Sequence, residues 1–275
     1  MPRAQSNGIE LEYASYGEED NPVIVLIRGL GTQMIEWSKG LTGGFAQAGF
    51  RVIAFDNRDV GFSSKLKAPY PLRAMADDVI GLMDHLSIGA AHIFGISLGG
   101  MIAQLVASRY PKRVLALYSV MSSSGNPDLP PMDESLRDQM LKDAKGREAI
   151  IRLDADNRAL FGSPGYPETE ADRLLAASAA YDRCYCREGV ARQMAAAITD
   201  GSRVERLKEI RLPTLVIHGA QDALVPLAAG EDTAGWIAGA ELAVVEGMGH
   251  NIPDALAPHI VELVSEFVLR TLNRG

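Results

Sequence analysis

Cysteine is scarce in this chain: two in 275 residues, Cys184 and Cys186, with Tyr185 between them. A pair that close makes a poor disulfide and half a metal site at best, and no Cys or His cluster elsewhere completes one. The expectation is reduced thiols in a cytoplasmic protein, with no metal. Long apolar runs are missing too. The longest purely aliphatic stretch is Val23 to Ile27, far short of a membrane span. The first residues, MPRAQSNGIELEY, lack the apolar core of a signal peptide. Positive charge is nowhere concentrated. Lys and Arg number 27 against 35 Asp and Glu, a net charge of -8, and the basic residues are scattered. Nucleic acid has no electrostatic footprint here, and the acidic surplus favours solubility.

What remains is ordinary globular composition, 47% hydrophobic and 23% charged. A chain of this size buries roughly three quarters of its unfolded surface and needs no staple. IELEYASYG, from Ile9, alternates apolar and polar residues and suits a half-exposed edge strand. VIVLI (Val23 to Ile27) and RVIAF (Arg51 to Phe55) are almost wholly apolar, as strands covered on both faces are. Leu72, Met75, Val79, Leu82, Met83 and Leu86 recur at three and four, which predicts an amphipathic helix. AHIFGI then reads as a strand, LGGMIAQLVASRY as a helix ending before Pro111, and RVLALYSV as a strand. This alternation argues an α/β fold: a mostly parallel sheet with helices on both faces.

The rhythm breaks after Val120. MSSSGNPDLPPMD is a loop, and from about Glu134 to Thr199 the patterns are helical only: MLKDAKGREAIIRL, ETEADRLLAASAAYDR and GVARQMAAAI, interrupted by FGSPGYPE. Val190, Met194 and Ile198 share one face, four apart. The small residues and Met of these segments suit an apolar pocket, but helix packing is the preferred reading. The sheet resumes with TLVIHG and ELAVVE, and PHIVELVSEFVLRTL closes the chain as a helix. The expected organisation is a core of residues 1–122 and 203–275, with a helical cap inserted at 123–202.

Gly95-Ile96-Ser97-Leu98-Gly99 lies between a predicted strand and a predicted helix. A strand-to-helix turn that tight requires glycine two residues either side, and it lifts the serine hydroxyl above the sheet. The helix N-terminus behind it offers free N–H groups to a developing oxyanion. A serine merely capping a helix would not need both glycines. A hydroxyl nucleophile needs a base, and the base needs an acid to orient it. Of five histidines, His85 and His92 sit in a helix and a strand, and His259 starts the last helix. His218 ends a strand, where packing explains it. His250, in the glycine-flanked EGMGHNIP loop after the last strand, can reach back over the sheet. Asp222, in HGAQDALVP, occupies a similar loop. Ser97, Asp222 and His250 are therefore the candidate catalytic residues, in the chain order this elbow architecture has.

With these segments and the early RGLG and FDNRDVGFS, the chain resembles the α/β-hydrolase superfamily over essentially its whole length. Arg58-Asp59, where relatives commonly carry Arg-Gly, looks like the subgroup with polyketide methyl esterases and non-haem haloperoxidase/esterase relatives. The resemblance implies a serine esterase of small-molecule esters, needing no cofactor, no nucleic acid and no membrane; its oligomeric state is open, a homodimer included. Lactones, amides, C–C bonds, acyl transfer and perhydrolysis use the same machinery, and some relatives bind ligands with little turnover. It also implies an oxyanion hole from the N–H groups of Leu30 and Leu98. Relatives usually carry His-Gly where this chain has Arg28-Gly29. Gly29, Arg28 and Trp37 are the candidates for substrate contact. Arg28 is expected to brace the loop bearing the Leu30 N–H; recognition of a substrate carboxylate is the alternative. Trp37 packs, or walls the pocket. FDNRDVGFS reads as a structural turn.

Overall fold

The computed structural model describes residues 1–130, 133–140 and 142–272. Pro131 and Met132 of the expected loop, and Leu141 of the first expected cap helix, lie outside them. The strands are β1 (Arg3–Ser6), β2 (Ile9–Tyr16), β3 (Val23–Ile27), β4 (Arg51–Phe55), β5 (Ala91–Ile96), β6 (Val114–Val120), β7 (Thr214–Gly219) and β8 (Glu241–Val245). They form one sheet in the order β1-β2-β4-β3-β5-β6-β7-β8. β3 to β8 run parallel; β1 and β2 make an antiparallel edge.

The helices that pack on this sheet are α1 (Lys39–Gln47), α2 (Leu72–His85), α3 (Leu98–Arg109) and, after the insertion, α8 (Val204–Leu207), α9 (Leu227–Trp236) and α10 (Ala257–Leu272). Side chains alternate across each strand, which splits the core into two layers. Val25, Ile27, Ile53 and Ile93 meet α2 and α3, while Ile24, Leu26, Val52 and Phe94 meet α1 and α10. Each such fully buried aliphatic or aromatic side chain contributes about 1.5–3 kcal/mol. On α2 the buried residues Leu72, Met75, Val79, Leu82 and Met83 follow the predicted stripe.

Two expectations are corrected, and one helix, α1, is added. The stretch from Ile9 is not the edge: β1 pairs outside it, Ala4 opposite Leu11. The cause is Asn7-Gly8, both at positive φ (48° and 77°), which turns the first residues back as a two-residue hairpin. α1 was not foreseen, because its three glycines mask the helical period. MLKDAKGREAIIRL is not one helix. α4 (Glu134–Met140) ends and α5 (Arg147–Leu160) begins after Gly146, whose φ is 85°. α6 (Glu170–Arg183) and α7 (Arg187–Asp200) follow, so α4 to α7 all fall between β6 and β7.

His92 of β5 is buried, with its ring packed on those of Phe50 and Tyr118. Desolvation pushes its pKa from 6.5 down to about 4. Between those values the unfolded chain binds a proton that the folded chain refuses, so stability falls as pH drops through that window. The loss is about 3 kcal/mol by its lower end. His92→Gln is expected to flatten this part of the acid limb when urea midpoints are measured against pH. An unchanged slope would exclude His92 as its source.

Candidate active site

The sheet delivers the candidate residues from the C-terminal ends of parallel strands. Ser97 follows β5 directly and stands at φ 53°, ψ -120°. Its backbone is pinned: the N–H donates to Val120 O at 3.0 Å, and the C=O accepts from Gly100 N at 2.9 Å and from Ser122 Oγ at 2.8 Å. A Cβ on Gly95 would run into the Gly99 carbonyl, and one on Gly99 into the carbonyl of Ile27 on β3. Only glycine fits either position, and the close approach they permit holds the serine in a left-handed conformation that L residues otherwise avoid.

Past β3 the chain passes against this serine: a Cβ on Gly29 would lie 3.3 Å from Ser97 Cβ and 3.8 Å from its Oγ. Leu30 is the next residue, and Leu98 opens α3 on the other side. Neither the Leu30 N–H nor the Leu98 N–H donates to any described residue. Leu98, in the first helical turn, has no carbonyl four residues back to receive it.

Asp222 lies in the turn after β7. Its Oδ1 accepts from Leu224 N at 2.9 Å and Val225 N at 2.8 Å, and its Oδ2 faces His250 Nδ1 at 2.7 Å. His250 comes from the loop after β8. Its Nε2 is buried and has no hydrogen-bond partner among the described residues. His218 stands behind the carboxylate, its Nε2 3.7 Å from Asp222 Oδ2 and 2.8 Å from Val225 O. Burial holds its pKa below the usual histidine value, so a neutral ring braces the turn that grips Asp222.

Arg28 and Trp37 are placed together. The Arg28 guanidinium lies 4.8 Å from the Trp37 ring centroid, and Trp37 is buried edge-on to Phe94. Burial lowers the Arg28 pKa to about 10, opposed by the nearby carboxylates of Glu36 and Asp154 and reinforced by Arg158, so it stays protonated at neutral pH. Arg158 pairs with both acids. Arg28 itself donates through Nε to Thr32 Oγ1 at 3.2 Å. That hydroxyl in turn donates to Gly29 O at 3.0 Å, and Asn57 Nδ2 donates to Arg28 O at 3.1 Å.

Several supports had no local signal in the sequence. The 161–165 turn holds the histidine loop: His250 N donates to Phe161 O at 2.7 Å, Gly249 N to Ser163 Oγ at 3.0 Å, and Gly165 N to Gly247 O at 2.8 Å. The glycines and prolines of FGSPGYPE were its only trace. Arg183, ending α6, pairs with Glu12 and Asp56. In FDNRDVGFS, Arg58 makes two 2.6 Å bonds to Asp78, and Asp59 takes both arms of Arg192 on α7 at 2.8 and 2.9 Å.

A cavity of about 660 Å³ begins at Leu30 and Gly31 and runs beneath α5, α6 and α7. Ala177, Tyr181, Val190, Met194 and Ile198 line it, as do both free cysteines, Cys184 and Cys186. Part of the small-residue and Met faces thus borders open space, while Ala177 also packs with Ile151 and Ala155 of α5 and Ala196 joins the main core. Ser97, Arg28 and Trp37 are not on this lining. No group of three or more His, Cys, Asp or Glu among the described residues could hold a metal ion. No described helix is long and apolar enough to cross a membrane.

A sequence model of the alpha/beta hydrolase fold matches residues 22–254. The chain is 27% identical to 3-oxoadipate enol-lactonase 2 of Acinetobacter baylyi, over 96% of this chain and 95% of that one. It is also 27% identical to a rhodomycin D methylesterase of Streptomyces peucetius, over 87% and 88%. Among solved structures, an enol-lactonase from Burkholderia xenovorans superposes with a TM-score of 0.81 at 28% identity, covering 98% of this chain and all of that one.

Proposed function

The chain belongs to the alpha/beta hydrolase fold family, and from that premise we propose that it is a serine hydrolase that cleaves carboxylic esters, lactones included, through an acyl-enzyme. The observation that carries the reading is the state of His250. Its Nδ1 is tied to Asp222 at 2.7 Å while its Nε2, buried, has no partner among the described residues. With a carboxylate accepting from Nδ1–H, the Nε2 lone pair is free to take a proton. In the substrate complex this nitrogen is the one that takes the Ser97 Oγ proton.

Ser97 Oγ attacks the acyl carbon as its proton passes to His250 Nε2. The carbonyl oxygen becomes an oxyanion received by the N–H groups of Leu30 and Leu98. As the tetrahedral intermediate collapses, the C–O bond to the alcohol breaks and His250 returns the proton to it. Water then repeats the sequence on the acyl-enzyme and frees the acid. Residues 123–202 act as a lid over the cavity, which takes the apolar part of the substrate. Two similar proteins, an enol-lactonase and a methylesterase, are named for this bond type, which supports the reading. A reducing cytoplasm suits the two free thiols. The test is a fluorophosphonate, located by mass spectrometry. The label is expected on Ser97; attachment to another serine rejects the assignment.

Arg28 acts here as the brace of the Leu30 N–H. Gly29 C=O and Leu30 N–H share one peptide plane. The Thr32 hydroxyl holds that carbonyl, and Arg28 Nε holds the hydroxyl. Arg28→Ala is expected to lower kcat about ten- to a hundredfold on a neutral ester and on a carboxylate-bearing ester of equal size. A rise in KM confined to the carboxylate ester, with kcat intact, would assign Arg28 to substrate recognition instead.

A further inference from the structure

Gln193 lies inside α7 with its side chain fully buried. Both ends of its amide are used. Oε1 accepts from Gly31 N at 2.8 Å, and Nε2 donates to Arg58 O at 2.8 Å. A helix of the insertion thereby ties together the two turns that follow β3 and β4. Gly31 has φ 68°, and a Cβ there would press on Val190 of the same helix at 2.9 Å. The loop therefore touches α7 by packing as well as by the hydrogen bond.

The next step rests on the role proposed above for the Leu30 N–H. That N–H belongs to the peptide between Gly29 and Leu30, whose plane Thr32 holds from within the loop. The following peptide, between Leu30 and Gly31, carries the N–H that Gln193 grips. Two successive planes are thus fixed, one by the loop itself and one by the cap. Leu30, between them, keeps its own N–H aimed only while both hold. We infer that Gln193 is a positioning residue for the oxyanion site, so that its hydrogen bond to Gly31 N, and not the docking of α7 as such, tunes the rate of the chemical step.

A neighbour separates this from mere docking. Arg192 fastens the same helix to the same β4 turn through Asp59, at 2.8 and 2.9 Å, without touching residues 29–32. The experiment therefore compares Gln193→Met, which keeps length and loses both hydrogen bonds, with Arg192→Met. It measures kcat and KM on a p-nitrophenyl ester together with inhibition by benzeneboronic acid. Boron adds Ser97 Oγ, the proton passes to His250, and the tetrahedral anion places an oxygen where the oxyanion forms. Gln193→Met is expected to lower kcat about ten- to a hundredfold, with KM close to the parent's and boronate inhibition weakened by the same factor. Arg192→Met is expected to leave all three near parent values. A Gln193→Met enzyme with parent kcat, or an Arg192→Met enzyme with an equal loss, overturns the inference. If Gln193→Met does not fold, Gln193→Asn, polar but one methylene too short to span both partners, is judged by the same outcomes. Parent-like kcat in the Gln193 variant, when Ser97→Ala made separately abolishes turnover, removes this inference alone. Turnover in Ser97→Ala removes the reading beneath it.

Discussion

Ser97→Ala is expected to lower kcat/KM by roughly four orders of magnitude or more while the protein stays folded. The two halves of that result have separate causes. Activity collapses because the acyl carbon loses its attacking atom, and the base and oxyanion donors act only together with it. Stability survives because Ser97 Oγ makes no hydrogen bond to any described residue. What fixes the residue is its backbone, through Val120 O, Gly100 N and Ser122 Oγ, and alanine keeps all of those bonds. At φ 53° alanine bears the same left-handed strain as serine. Thermal unfolding followed by circular dichroism should therefore superpose on the parent's while ester turnover is lost. A purified variant that hydrolyses p-nitrophenyl esters at the parent rate rejects Ser97 as the nucleophile.

The elbow was legible in the sequence because its constraint is local. Gly95 is required by the Gly99 carbonyl, which the strand-turn-helix path itself brings close; Gly99 is required by the Ile27 carbonyl on the neighbouring β3, yet both glycines and the serine fall within five consecutive residues. Asp222 and His250 could be read through strand-end loops, each a short step from an apolar run. The first hairpin is equally local: Asn7-Gly8 is its signal, masked by the longer alternation that follows. The latches between insertion and core are another matter. Gln193 meets Gly31 across 162 positions and Arg183 meets Glu12 across 171. Partners so far apart leave no period in either segment, and a lone Gln or Arg on a helix looks like solvated surface. The α7 face shows a subtler limit. Spacing of four identifies Val190, Met194 and Ile198 as one side of a helix, yet a packed side and a cavity wall have the same spacing. Only the neighbouring helices decide which it is, and here they stand back to leave about 660 Å³.

Asp222→Asn tests the electrostatics behind the base, and its expected loss in kcat is about four orders of magnitude near neutral pH. The argument begins with the two backbone groups that hold the carboxylate. Leu224 N–H and Val225 N–H both donate to Oδ1, at 2.9 and 2.8 Å. In the variant, only the amide oxygen can take that position. Turned the other way, the amide would set N–H against N–H and strand two half-buried donors. The oxygen stays, and the NH₂ must point where Oδ2 stood, at the His250 Nδ1 that lay 2.7 Å away. A donor now faces Nδ1, so Nδ1 must accept, and the ring proton moves to Nε2. That is the nitrogen that has to receive the Ser97 proton, and in this tautomer it cannot. The fold and the cavity are untouched, so KM should hold while kcat collapses. Proton NMR gives an independent readout: a downfield Nδ1–H resonance from the His250–Asp222 pair is expected in the parent and absent in the variant. If Asp222→Asn keeps both the resonance and the turnover, Asp222 is not the group that sets the tautomer of His250.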